Sequence, residues 1–145
     1  MVLLSCWLIN KDQVSDVSSD TPIQVASIVP TMKLTIHSDS YRGLPGSRCW
    51  DKLCADMAFP TNLENPIIVR GGEPLMLDIE GIGANPEGVQ VTVFMTTGDI
   101  VEQIPLGPFL RNKFFLTLEE DSYVISISAR WSVGDVSYYY PITIE

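Results

Sequence analysis

The chain has 145 residues, 46% of them hydrophobic, with 18 acidic against 9 basic side chains and a formal net charge of −9. That length and apolar content suit one folded domain plus a tail, and they exclude a chain disordered throughout. The charge argues against nucleic acid, whose phosphates demand clustered Lys and Arg, and against direct adsorption to anionic membranes.

At the amino end, Leu3, Leu4 and Ser5 precede Cys6. A small residue and leucines ahead of a cysteine form the pattern that lipoprotein signal peptidase cuts and acyl transferase modifies, which makes Cys6 the candidate lipidation site. Such a site needs a basic segment and roughly 7–15 apolar residues before it, and only Met1 to Ser5 precede Cys6, so either the true start lies upstream of Met1, or the amino end has been trimmed, or the pattern is accidental. Lys11 to Asp20 is polar and rich in Ser and Asp, and Thr21 to Pro30 continues it. A run of that kind buries too little apolar area to order itself, so residues 1–30 read as a disordered tether and 31–145 as the domain. No window holds the roughly 18 consecutive apolar residues of a spanning helix.

From Met32 onward, apolar and polar residues alternate in short runs separated by Gly, Pro, Asn and Asp. This is the pattern of antiparallel strands with one buried face. Met32 to His37, Pro66 to Arg70, Leu75 to Glu80 and Val89 to Met95 are candidates; Ile100 to Ile104 and Phe114 to Leu118 are shorter, with Pro105, Gly107 and Pro108 breaking the chain between them. In the clearest run, Tyr123, Ile125, Ile127, Ala129 and Trp131 share one face, opposite Ser126, Ser128 and Arg130. A turn at Ser132 to Asp135 returns the chain as Val136 to Ile144, predicted to pair antiparallel with it. Pro141 has no amide hydrogen, so its nitrogen must face an open edge or a bulge. About seven short strands and no amphipathic helix predict an all-β, immunoglobulin-like antiparallel β-sandwich. Tyr123, just after the acidic turn Glu119 to Asp121, is the candidate for a tyrosine corner, with an ordinary core tyrosine as the alternative.

Gly46 to Asp56 is the most distinctive segment. With Asp51 and Lys52 as a two-residue turn, Cys49 faces Cys54 across a hairpin, within reach of a disulfide; a looser four-residue loop is the alternative, because the favoured two-residue turns want Gly. Redox chemistry prefers C-x-x-C at a helix start, and zinc wants four ligands, so a structural bond is the expectation. Asp39, Asp51 and Asp56 flank the segment, and calcium held by these acids is the minority reading against solvated loop carboxylates.

Catalytic motifs are scarce. The one histidine, His37, falls in an alternating strand, and no Gly-x-Ser-x-Gly, Walker loop or His-Glu-x-x-His occurs. Glu119 and Glu120 are adjacent, so on a strand they would point apart. Among Trp131, Tyr138, Tyr139 and Tyr140, Tyr139 has the opposite parity to its neighbours, which offers a sugar or a protein an aromatic face if that side is exposed.

The Leu-Leu-Ser-Cys start, the polar tether, the Gly-Ser-x-Cys-Trp-x-x-x-Cys-Ala-Asp segment and the Ser-Ala-Arg-Trp-x-x-Gly-Asp-x-Ser-Tyr hairpin resemble a group of uncharacterised bacterial lipoproteins. The resemblance implies a lipid anchor at Cys6, a Cys49–Cys54 bond and a tethered β-sandwich outside the membrane, with no catalytic residues and no cofactor to carry over. The expected function is a non-enzymatic binding or accessory module of the cell envelope for a protein or carbohydrate ligand. The alternative is a small envelope enzyme or metal-binding protein using the loop around Cys49, Asp51 and Asp56.

Overall fold

The structure, a computed structural model, describes residues 28–145. Among them are twelve strands and no helix: β1 Thr31–Ile36, β2 Asp39–Arg42, β3 Leu44–Pro45, β4 Arg48–Trp50, β5 Leu53–Ala55, β6 Ile67–Val69, β7 Pro74–Glu80, β8 Gly88–Met95, β9 Ile100–Leu106, β10 Arg111–Phe115, β11 Ser122–Trp131 and β12 Gly134–Ile144. The seven that run five residues or more carry the sandwich. β4 and β5 are the arms of the cysteine hairpin. Only β2 and β3, four and two residues long, have no counterpart in the alternation, because so few residues show no period.

The strands form an immunoglobulin-like sandwich. The smaller sheet has the order β10-β7-β1-β2 and the larger β5-β4-β12-β11-β8-β9, with β3 and β6 also pairing with β12. All pairs are antiparallel except β6 with β12. Between the sheets, Met32, Leu34, Ile36, Leu75, Leu77 and Ile79 from one side meet Val91, Val93, Ile125, Ile127 and Ile142 from the other, all buried. Each such side chain contributes on the order of 1.5–3 kcal/mol relative to exposure, so this interior is the main source of stability.

The predicted face of β11 is buried throughout, from Tyr123 at 6% exposure to Ile125 and Ile127 at 0%, and β11 pairs with β12 from Ser122↔Thr143 to Trp131↔Gly134. Tyr123 is a tyrosine corner: its hydroxyl donates to the Glu119 carbonyl at 2.9 Å, fixing the crossover from β10 to β11.

Pro141 lies in a central strand, yet its nitrogen does face an opening. The Ile144 amide donates to the Asp121 carbonyl on the β11 side, so by alternation the Pro141 nitrogen points the other way. There β3 ends at Tyr139↔Leu44 and β6 begins at Ile142↔Ile67. The proline sits in the gap between two short partners, beside a depression of about 310 Å³.

Three expectations need correction. Val29 packs on the core and Pro30 is buried; the Tyr138 hydroxyl donates to the Pro30 carbonyl at 2.8 Å, so the end of the expected tether belongs to the domain. His37 is not in a strand: it opens the tight β1–β2 turn at φ 58°, and its exposed imidazole pairs with Glu73. Pro105 does not end β9 but lies within it, which is tolerated because β9 is an edge strand.

Candidate functional site

The cysteine hairpin forms as expected. Cys49 and Cys54 are opposite one another and disulfide-bonded, with Cα atoms 4.0 Å apart. The turn is the tight two-residue form without glycine, for Asp51 and Lys52 both take positive φ, 50° and 70°. Left-handed backbone costs a side-chain-bearing residue free energy, and three contacts hold it. The disulfide closes the hairpin, the Asp51 amide donates to the Val133 carbonyl at 3.0 Å, and Trp50 packs edge-on against Trp131 beneath, ring centroids 5.5 Å apart. Gly134 permits that packing. A Cβ there would collide with the Cys49 carbonyl oxygen and lie 2.9 Å from the Trp50 Cα.

The sequence-predicted site residues do not assemble into a metal or catalytic centre. Asp51 and Asp56 are exposed on or beside the hairpin, whereas Asp39 starts β2 in the smaller sheet. Among the described residues no group of three His, Cys, Asp or Glu side chains could hold an ion. Both thiols of the hairpin are consumed by the bond. Glu73, the partner of His37, has its carboxyl held below the usual range, chiefly because it accepts from the Arg70 amide and then because of His37. Cys6 lies outside the described residues.

What the fold does build is a polar trough on the outer face of the larger sheet. Alternation sends Ser128 outward from β11, and the register places it between Ser137 of β12 and Gln90 of β8, with Pro105 of β9 beyond. One row further along, Arg130 sits between Asp135 and Gly88. These residues, with Ser47, line an open depression of about 470 Å³. The small side chains make the floor. Ser137 donates to the Ser47 carbonyl at 2.7 Å, and the Ser47 hydroxyl accepts from the Met57 amide at 2.9 Å, which moors the segment after the hairpin across the sheet.

That segment also carries Phe59 to an aromatic cluster on the same sheet, one outward row beyond the trough. Phe59 rests between Phe94 and Tyr139, with centroid distances of 5.3 and 5.7 Å, and this answers where the odd-parity Tyr139 points. At the other end Arg130 reaches Glu87 at 3.6 Å. Its Nη2 would lie 3.7 Å from a Cβ on Gly88, so the guanidinium spans from β11 to β8. Gln90, Ser128 and Asp135 have no side-chain hydrogen bond among the described residues. Sequence reasoning put Ser128 and Arg130 on the outward face and went no further; Gln90, Ser137 and Asp135 were missed, since only pairing reveals that polar residues of three strands fall in line.

No family model matches the chain, and no curated protein matches it. The crystal structure of an engineered protein aligns with 55% of this chain at 14% identity and a TM-score of 0.43. The aligned part is 18% of that protein's length, and likeness at that level carries no argument about fold or function.

Proposed function

We propose that this protein is a non-enzymatic binding module of the cell envelope, lipid-anchored through Cys6 and displayed outside the membrane. The observation that carries the binding reading is the open trough, whose Gln90, Ser128 and Asp135 offer donors and acceptors that make no side-chain hydrogen bond among the described residues. His37 lies in a turn of the smaller sheet, so the sandwich stands between the one imidazole and the trough serines. That separation supports binding over acyl transfer, because a serine without a base in reach is a weak nucleophile. The disulfide supports an oxidising compartment. No helix among the described residues is long and apolar enough to cross a membrane, and acyl chains on Cys6 would supply attachment at about 0.8 kcal/mol per buried CH₂.

The test expresses the chain behind a lipoprotein signal peptide in a bacterial host with a clickable palmitate analogue and a photo-crosslinking residue at Ser128 or, as control, at Lys113 on the opposite sheet. The expected result is label on the wild type and none on Cys6→Ala, with an envelope adduct from position 128 alone. Equal adducts from both positions, or none, would remove the binding reading. An unlabelled wild type would remove the anchor.

A further inference from the structure

We infer that the trough takes a neutral oligosaccharide lying across the strands of the larger sheet. This rests on the binding reading above and adds the ligand class. The row Pro105, Gln90, Ser128, Ser137 covers four strands, three steps of about 4.8 Å, so the floor is about 14 Å long. Its volume of about 470 Å³ lies within the roughly 300–1,000 Å³ of small-ligand sites. Apart from Pro105 at its end, the row is hydroxyl and amide, groups that both donate and accept and so match a chain of hydroxyls. A peptide backbone instead finds its regular pairing at a strand edge, and the face of a sheet has no free ladder to extend. Tyr139, two positions beyond Ser137 on the outward side of β12, and Phe59 packed against it lie beyond the trough floor and offer ring surface to the apolar C–H edges of a sugar chain that extends past it.

Charge selects the neutral class. Among the described residues that line the trough, Arg130 is the one cation, with Glu87 at 3.6 Å and Asp135 opposite it in the ladder. One positive and two negative groups leave that end net negative, on a chain of net charge −9. Anionic polymers are therefore repelled, and Arg130 with Asp135 remains as a paired donor and acceptor for vicinal hydroxyls.

The experiment follows backbone amides of the ¹⁵N-labelled full chain by NMR during titration with chitotetraose, cellotetraose, maltotetraose, a tetragalacturonate and tetralysine. At least one of the three neutral chains is expected to shift the Gln90, Ser128 and Ser137 amides saturably, and Gln90→Ala and Ser128→Trp are each expected to weaken that binding at least tenfold. Both positions are on the surface, and unchanged amides in β1 and β7 will show that the variants fold. Movement of these amides by tetralysine or tetragalacturonate alone would overturn the sugar assignment while leaving a binding module. Silence with all three neutral chains, or neutral binding that both variants leave intact, would also overturn it.

Discussion

Tyr140 is expected to make the protein less stable than the phenylalanine it could have been. The residue is 1% exposed, and its hydroxyl is buried without a hydrogen-bond partner among the described residues. The ring packs on Gly43, where a Cβ would come within 2.8 Å of the Tyr140 Cζ. The Gly43 backbone approaches the hydroxyl without forming a well-aligned hydrogen bond to it. An unsatisfied buried hydroxyl costs about 1–3 kcal/mol. Tyr140→Phe keeps the ring and removes that cost, so a gain of about 1 kcal/mol at pH 8 is expected, the lower figure allowing for partial help from the Gly43 backbone.

The same variant has a pH signature. Burial first, and Tyr138 second, push the Tyr140 hydroxyl far above its ordinary value of 10.0, against smaller opposing effects from Arg42 and the Gly43 backbone. In the unfolded chain this tyrosine ionises near pH 10, while in the folded chain it keeps its proton. The unfolded state then binds fewer protons, so the stabilisation is complete below about pH 10 and declines above it. By pH 10.5 the wild type has lost about 0.8 kcal/mol through this group, and Tyr140→Phe has not. Urea unfolding at both pH values measures the difference; contributions of Tyr123 and Tyr138 are common to both proteins and cancel. A variant less stable than wild type by 1 kcal/mol at pH 8, or a gap that does not widen at pH 10.5, would refute the reasoning.

Tyr123→Phe should act in the opposite sense, because it removes a made hydrogen bond to the Glu119 carbonyl; a loss of about 0.5–1.5 kcal/mol in urea unfolding is expected. Gly134→Ala forces a Cβ against the Cys49 and Trp50 backbone, so β4 must lift from β12, with a loss of about 1–3 kcal/mol and faster hydrogen exchange of the Asp51 amide. Unchanged exchange would mean that the two strands are not held as described. Reducing Cys49–Cys54, which closes a loop five positions apart, should cost about 2 kcal/mol on the loop-closure model and leave near-native far-UV circular dichroism, since the sandwich core lies elsewhere; cooperative unfolding on reduction would contradict this.

The long strands were legible because each buries one face, and a period of two survives in any segment long enough to show it. Tyr123 to Trp131 could be assigned to the interior residue by residue, and its pairing with Val136 to Ile144 followed from the intervening turn. The disulfide was legible for a local reason, since two cysteines flanking four residues can meet only across a tight hairpin, although the left-handed Asp51–Lys52 turn depends on the Val133 and Trp131 contacts that hold it. Pro141 announced an opening. Where that opening lies was decided by β3 and β6, which come from 72 to 97 positions upstream in the sequence and leave a gap between them. Ser128 and Ser137 meet across the β11–β12 hairpin, but the rest of the trough belongs to the tertiary structure. Gln90 and Pro105 join them in one surface only because β8 and β9, distant in sequence from β11, lie beside it at steps of about 4.8 Å in a fixed register, a relation that no local pattern encodes.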